Sequence, residues 1–135
     1  MTVAWSAEEL RLLDAAVELE IAVERSDGGR RPWVPIWVVC TDGRVFVRSW
    51  HRRDTGWFGR AVRSLRARVR VPGLETPVTI TDVGSASSDV TDDVNAAYWT
   101  KYGGGAGSMV TSPAAATTLE LHREDPAVHA GQGGT

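Results

Sequence analysis

Asp42-Gly43 lies between two runs of strand-forming residues, 36–40 and 45–50, and that arrangement restricts the fold more than any other feature of the chain. A type I′ turn needs positive φ at both central positions, which Gly adopts freely and Asp tolerates. The spacing therefore predicts a tight antiparallel hairpin. Its second strand runs into Arg48, Ser49, Trp50, His51, Arg52 and Arg53, so cations, a hydroxyl and an indole gather at one strand end.

The rest of the chain reads around this hairpin. Ser6 with Glu9 forms a capping-box pattern, which predicts a short helix to about Asp14 using Leu10 and Leu13 as buried contacts. Residues 17–24 alternate apolar and polar, as do 66–71, so both are strands with one wet face. Across neighbouring strands Arg66, Arg68 and Arg70 are expected to face Glu18, Glu20 and Glu24 or water. Trp57, Phe58, Ala61, Val62 and Leu65 recur at helical spacing. Pro72-Gly73 is a turn before a strand at 78–83. The longest helix is expected at 89–102, with Asp89, Asp92 and Asp93 near its start and Lys101 at its end, both favourable to the helix dipole. Glycines 103–105 must end it, and the glycine-rich run that follows reads as a loop or lid. Residues 112–115 suit one helical turn, and 117–122 form a last strand. The tally is about six strands with inserted helices: a mainly β, α+β fold, closed or nearly closed into a small barrel, since closure removes exposed sheet edges. A single domain is expected over residues 1–123, with a flexible tail at 124–135.

Composition bears on partners. The net charge of -2 gives no reason to expect nucleic acid or an anionic membrane. Yet nine of the arginines fall between Arg44 and Arg70, and Lys101 is the one lysine. One cysteine, Cys40, permits no intrachain disulfide, and no Cys/His spacing suggests a metal site. Without an apolar leader or a spanning-length apolar run, a cytoplasmic location is expected.

The segments PIWVVCTDGRVFVRSW, Gly56-Trp57-Phe58-Gly59-Arg60-Ala61, Asn95-Ala96-Ala97-Tyr98 with Lys101-Tyr102-Gly103, and Ala116-Thr117-Thr118-Leu119-Glu120-Leu121 follow one another in an order that resembles a bacterial family, domain of unknown function 2255. More distantly, the hairpin followed by Arg and Ser is similar to the flavin- and deazaflavin-binding split barrels related to pyridoxamine phosphate oxidase. That resemblance implies a six-stranded split β-barrel, a homodimer, and a cofactor such as FMN or a deazaflavin lying between subunits. It also implies phosphate contacts from Arg48, Ser49, Arg52 and Arg53. The family label itself implies no activity.

Two functions follow. In the first, an oxidoreductase binds a flavin or deazaflavin phosphate. Arginine forks would hold the phosphate, Trp37 and Trp57 would flank the ring, and Lys101 would reach an anionic group. Tyr98 and His51 would be the candidate acid–base groups. In the second, the barrel has no cofactor and uses a tryptophan-lined pocket to bind a small molecule or to catalyse proton transfer, isomerisation or cyclisation. Strand alternation already complicates the first: Arg48 shares a face with Phe46 and Trp50, whereas Ser49 goes with Val45 and Val47. A surface loop whose arginines pair with acidic residues is the competing account of the cluster.

Overall fold

A computed structural model describes residues 2–25, 27, 29, 32–49 and 56–124. Within them, eight strands form one antiparallel sheet: β1 (Thr2–Val3), β2 (Leu19–Val23), β3 (Val34–Ile36), β4 (Val38–Thr41), β5 (Arg44–Val47), β6 (Arg66–Val71), β7 (Leu74–Asp82) and β8 (Leu119–Glu124). Four α-helices accompany them: α1 (Ala7–Ala15), α2 (Gly56–Ser64), α3 (Ser88–Tyr102) and α4 (Ser112–Ala115). A 3-10 segment, Gly103–Met109, follows α3 where the glycine run reads as a loop.

The hydrogen-bonded order β3-β2-β6-β7-β8-β5-β4 puts at its two ends the strands β3 and β4, which are neighbours in the chain and separated only by Trp37. One nearly continuous extended segment therefore closes the sheet into a barrel and breaks at Trp37. This accounts for the predicted strand at 36–40 appearing as two. β1 is the other addition: it pairs with Arg123 and Glu124 of β8.

The turn at Asp42-Gly43 has φ of 54° and 73°, as the hairpin requires. Ser6 and Glu9 make the reciprocal capping box. Alternation sends Leu19, Ile21, Val45, Val47, Val69, Val78, Leu119 and Leu121 into the barrel, where Leu13 of α1 and Phe58 and Ala61 of α2 join them. A second core lies outside the barrel. There Val39 and Phe46, on the outer face of the hairpin, are covered by Val94 and Tyr98 of α3 and by Ala106 and Met109. The arginine rows point outward: Arg66 pairs with Glu24 and Arg70 with Glu20, as expected, while Arg68 takes Glu75 of its own hairpin instead. Exposed pairs of this kind contribute little.

Candidate functional site

β5 ends by delivering Arg48 under α3. Arg48 is 1% exposed. Its Nε donates to Thr118 Oγ1 at 2.8 Å, and its Nη1 donates to Asn95 Oδ1 at 2.6 Å and to the Met109 carbonyl at 2.8 Å. The guanidinium carbon stands 5.6 Å from the centre of the Tyr98 ring. This is the Phe46 face that alternation assigns to it. Ser49, also buried, is fixed through its backbone: its N–H donates to Thr117 Oγ1 at 2.9 Å. Thr117 and Thr118 in turn donate to the carbonyls of Ala114 and Ala115, both at 2.6 Å, so the Thr-Thr pair joins the end of α4 to the end of β5. Burial lowers the proton affinity of Arg48 and raises the Tyr98 phenol far above its usual range.

One turn further along α3, Lys101 and Tyr102 fasten the break in the barrel. Lys101 Nζ donates to the Val38 carbonyl at 2.7 Å and the Leu13 carbonyl at 3.1 Å, tying β4 to α1. Tyr102 Oη donates to the Val17 carbonyl at 2.6 Å and accepts from the Val38 N–H at 3.3 Å, and its ring stacks on Trp37 with centroids 4.0 Å apart. Beside this fastening is an open cleft of ≈ 450 Å³ between α1, β4 and α3, lined by Asp14, Cys40, Thr41, Asp93, Thr100 and Lys101. Burial lowers the Lys101 proton affinity, an effect that Asp14 and Cys40 oppose. Burial first, then Asp14, raises the Cys40 thiol to about 11, and burial raises the Tyr102 phenol to about 12.

These last shifts predict alkaline instability. A thiol whose folded pKa exceeds its unfolded value of 9.0 contributes stability that is complete below pH 9 and lost as pH rises through about 11. Cys40→Ala is therefore expected to flatten the fall in the urea midpoint between pH 9 and 11. An unchanged slope in that variant would show that the thiol plays no part.

The described candidates do not form a single cradle. Arg48 and Ser49 are enclosed and engaged by internal partners. Trp37 belongs to the outer core and Trp57 packs against the barrel core, edge-on to Phe58 at 5.8 Å, so the two indoles do not flank one slot. Trp33 stacks under Arg70 at 4.1 Å, and Trp99 is 48% exposed. Tyr98 and Lys101 are both on α3, but Tyr98 faces Arg48 whereas Lys101 faces the cleft. His51, Arg52 and Arg53 lie outside the described residues, as does Trp50. Tested against a flavin phosphate, Arg48 does not fit: its guanidinium is 1% exposed, enclosed beneath α3 where a nucleotide's phosphate does not reach it. Sequence reasoning missed Asn95 and Thr118 as partners of Arg48, Thr117 as the partner of the Ser49 backbone, and Asp14 and Asp93 as walls of the cleft. The spacing of Thr91, Asn95, Tyr98 and Tyr102, which puts them in one stripe of α3, was the available signal. Among the described residues, no group of His, Cys, Asp and Glu is placed to hold a metal ion, and no helix is long and apolar enough to cross a membrane.

These elements define a split β-barrel whose outer hairpin face is covered by α3 and the 3-10 segment that follows it. The chain belongs to the family of uncharacterized proteins conserved in bacteria, DUF2255, whose sequence model matches residues 9–121. No curated protein matches it in sequence. Solved structures share the fold at low identity. The haem storage protein HutZ of Vibrio cholerae superposes with a TM-score of 0.64 at 12% identity, covering 91% of this chain and 92% of that one. A 5-nitroimidazole antibiotic resistance protein, so described from Bacteroides thetaiotaomicron, gives 0.63 at 9%, covering 93% and 84%. An FAD-binding protein of Mesorhizobium loti gives 0.55 at 14%, covering 91% of each. These likenesses establish the architecture.

Proposed function

We propose that the chain is a split-barrel oxidoreductase that binds a flavin or deazaflavin and acts on a small organic substrate. The single observation behind this reading is the barrel itself, which is superposable over most of its length on a protein described as FAD-binding. Such a cofactor, when bound, supplies the hydride chemistry. The chain's own contribution is binding and orientation. The enclosure of Arg48 leaves Arg52 and Arg53 as the arginines of the predicted set to meet a phosphate. On this reading the ligand lies between two copies of the chain.

A second reading is favoured by the cleft beside Lys101. Its volume falls within the usual range for small-molecule sites, roughly 300–1,000 Å³, and its lining combines an amine, carboxylates, hydroxyls and a thiol. A cofactor-independent protein would bind a small polar molecule there, with the Lys101 ammonium, two of whose N–H groups meet the carbonyls of Val38 and Leu13, as a cationic contact.

One titration separates the two. Purified protein is mixed with FMN and then with the deazaflavin while tryptophan fluorescence is followed. The first reading expects saturable quenching at low micromolar ligand, weakened at least about tenfold by Arg52→Ala combined with Arg53→Ala, a loss of ~1.4 kcal/mol or more. Unchanged fluorescence with both cofactors overturns it in favour of the cleft.

A further inference from the structure

We propose that Arg48 and Tyr98 form the donor pair of a buried anion site beneath α3, one that takes a compact monovalent anion such as chloride or formate. The inference is independent of the flavin reading and starts from unmet hydrogen-bonding capacity. A guanidinium carries five N–H donors. Three of those on Arg48 reach Thr118, Asn95 and Met109. The two on Nη2 are buried without a partner. The hydroxyl of Tyr98, which is 0% exposed and whose ring the guanidinium overlies, has the Arg48 backbone N–H directed at its oxygen but no acceptor for its own proton. Thr91 Oγ1, one turn before Asn95 on the same stripe of α3, is a third buried polar atom without a partner.

The charge balance points the same way. All three acceptors on Arg48 are neutral oxygens, and no carboxylate among the described residues pairs with it. Asp89, Asp92 and Asp93 of α3 are exposed, and Glu120 is held by Arg44 through two bonds of 3.0 and 2.8 Å. Tyr98 is no counter-charge, because burial keeps it protonated and therefore a donor. A buried cation with unfilled donors, next to a buried hydroxyl, is an arrangement that an anion completes in both charge and hydrogen bonding. Polar groups enclosed this way are costly unless something meets them.

Thermal unfolding at constant ionic strength tests this, with sodium gluconate, whose anion is too bulky for an enclosed site, replaced stepwise by chloride or formate. The melting temperature of the wild type is expected to rise by about 5 °C and to saturate, because an anion bound only by the native state stabilises it. Tyr98→Phe removes one donor and leaves the three bonds of Arg48 in place. The concentration giving half the rise is then expected to increase at least about tenfold. The chlorine NMR linewidth provides a direct readout on the wild type alone: broadening beyond a buffer blank, reversed by formate, is expected. Equal melting temperatures in gluconate, chloride and formate, a Tyr98→Phe titration that overlays the wild type, or a linewidth matching the blank would each overturn the site.

Discussion

Arg48→Ala is expected to remove about 4 kcal/mol of stability, read as a large drop in the urea midpoint and not as a selective loss of ligand affinity. The substitution strips a hydrogen-bonding partner from Thr118 and Asn95 and from the Met109 carbonyl, and it empties the volume of a long side chain that is 1% exposed. Hydrogen bonds to charged groups contribute roughly 1.5–3 kcal/mol each, so losing several at once outweighs the relief of no longer burying a cation. Domains of this size have only about 5–15 kcal/mol in total. Arg48→Met separates the contributions: it retains most of the volume, removes the charge, and is expected to cost about half as much. If both variants unfold at the wild-type midpoint, Arg48 is not a fastening, and its burial would need another account.

The same residue shows where sequence reasoning stops. Alternation along β5 assigned Arg48 to the Phe46 face correctly, because the side-chain period of a strand is local. Whether that face meets water or a helix is decided by α3, which supplies Asn95 from 47 positions away. The hairpin, the capping box of α1, the extent of α3 and the outward Arg–Glu rows were all legible because each depends on neighbours in sequence or on pleat parity. The break at Trp37 was not, since residues 36–40 read as one strand and only barrel closure makes the chain on either side of Trp37 serve two partners. The cleft was hidden for the same reason. Asp14, Cys40 and Lys101 come from three elements, and the bond from Lys101 to Leu13 spans 88 positions. The aromatic slot expected from Trp37 and Trp57 divides because one indole packs outside the barrel and the other against its interior.

Leu13→Ala carries the second large effect, because α1 is the element that packs where the barrel is broken. β4 has β5 along one edge. On the other edge the Val38 N–H is met by the Tyr102 hydroxyl, and the Cys40 thiol donates to the Leu10 carbonyl of α1 at 3.9 Å. Leu13 is fully buried in the barrel core, and its carbonyl accepts from the lysine that also holds Val38. Leu12 of the same helix packs against the turn at Gly73, where φ is 89° and an added Cβ would approach it to 3.3 Å. Removing the Leu13 side chain is therefore expected to cost about 3 kcal/mol through lost burial and an unfilled cavity. The loss should also have a direction. Amide exchange at Val38 and Cys40 is expected to speed up well before that of Val69 and Val78, because loosening α1 uncovers the outer edge of β4 while the β6–β7 ladder keeps its partners. Uniform acceleration across all strands would mean that α1 stabilises the barrel as a whole and does not close its split.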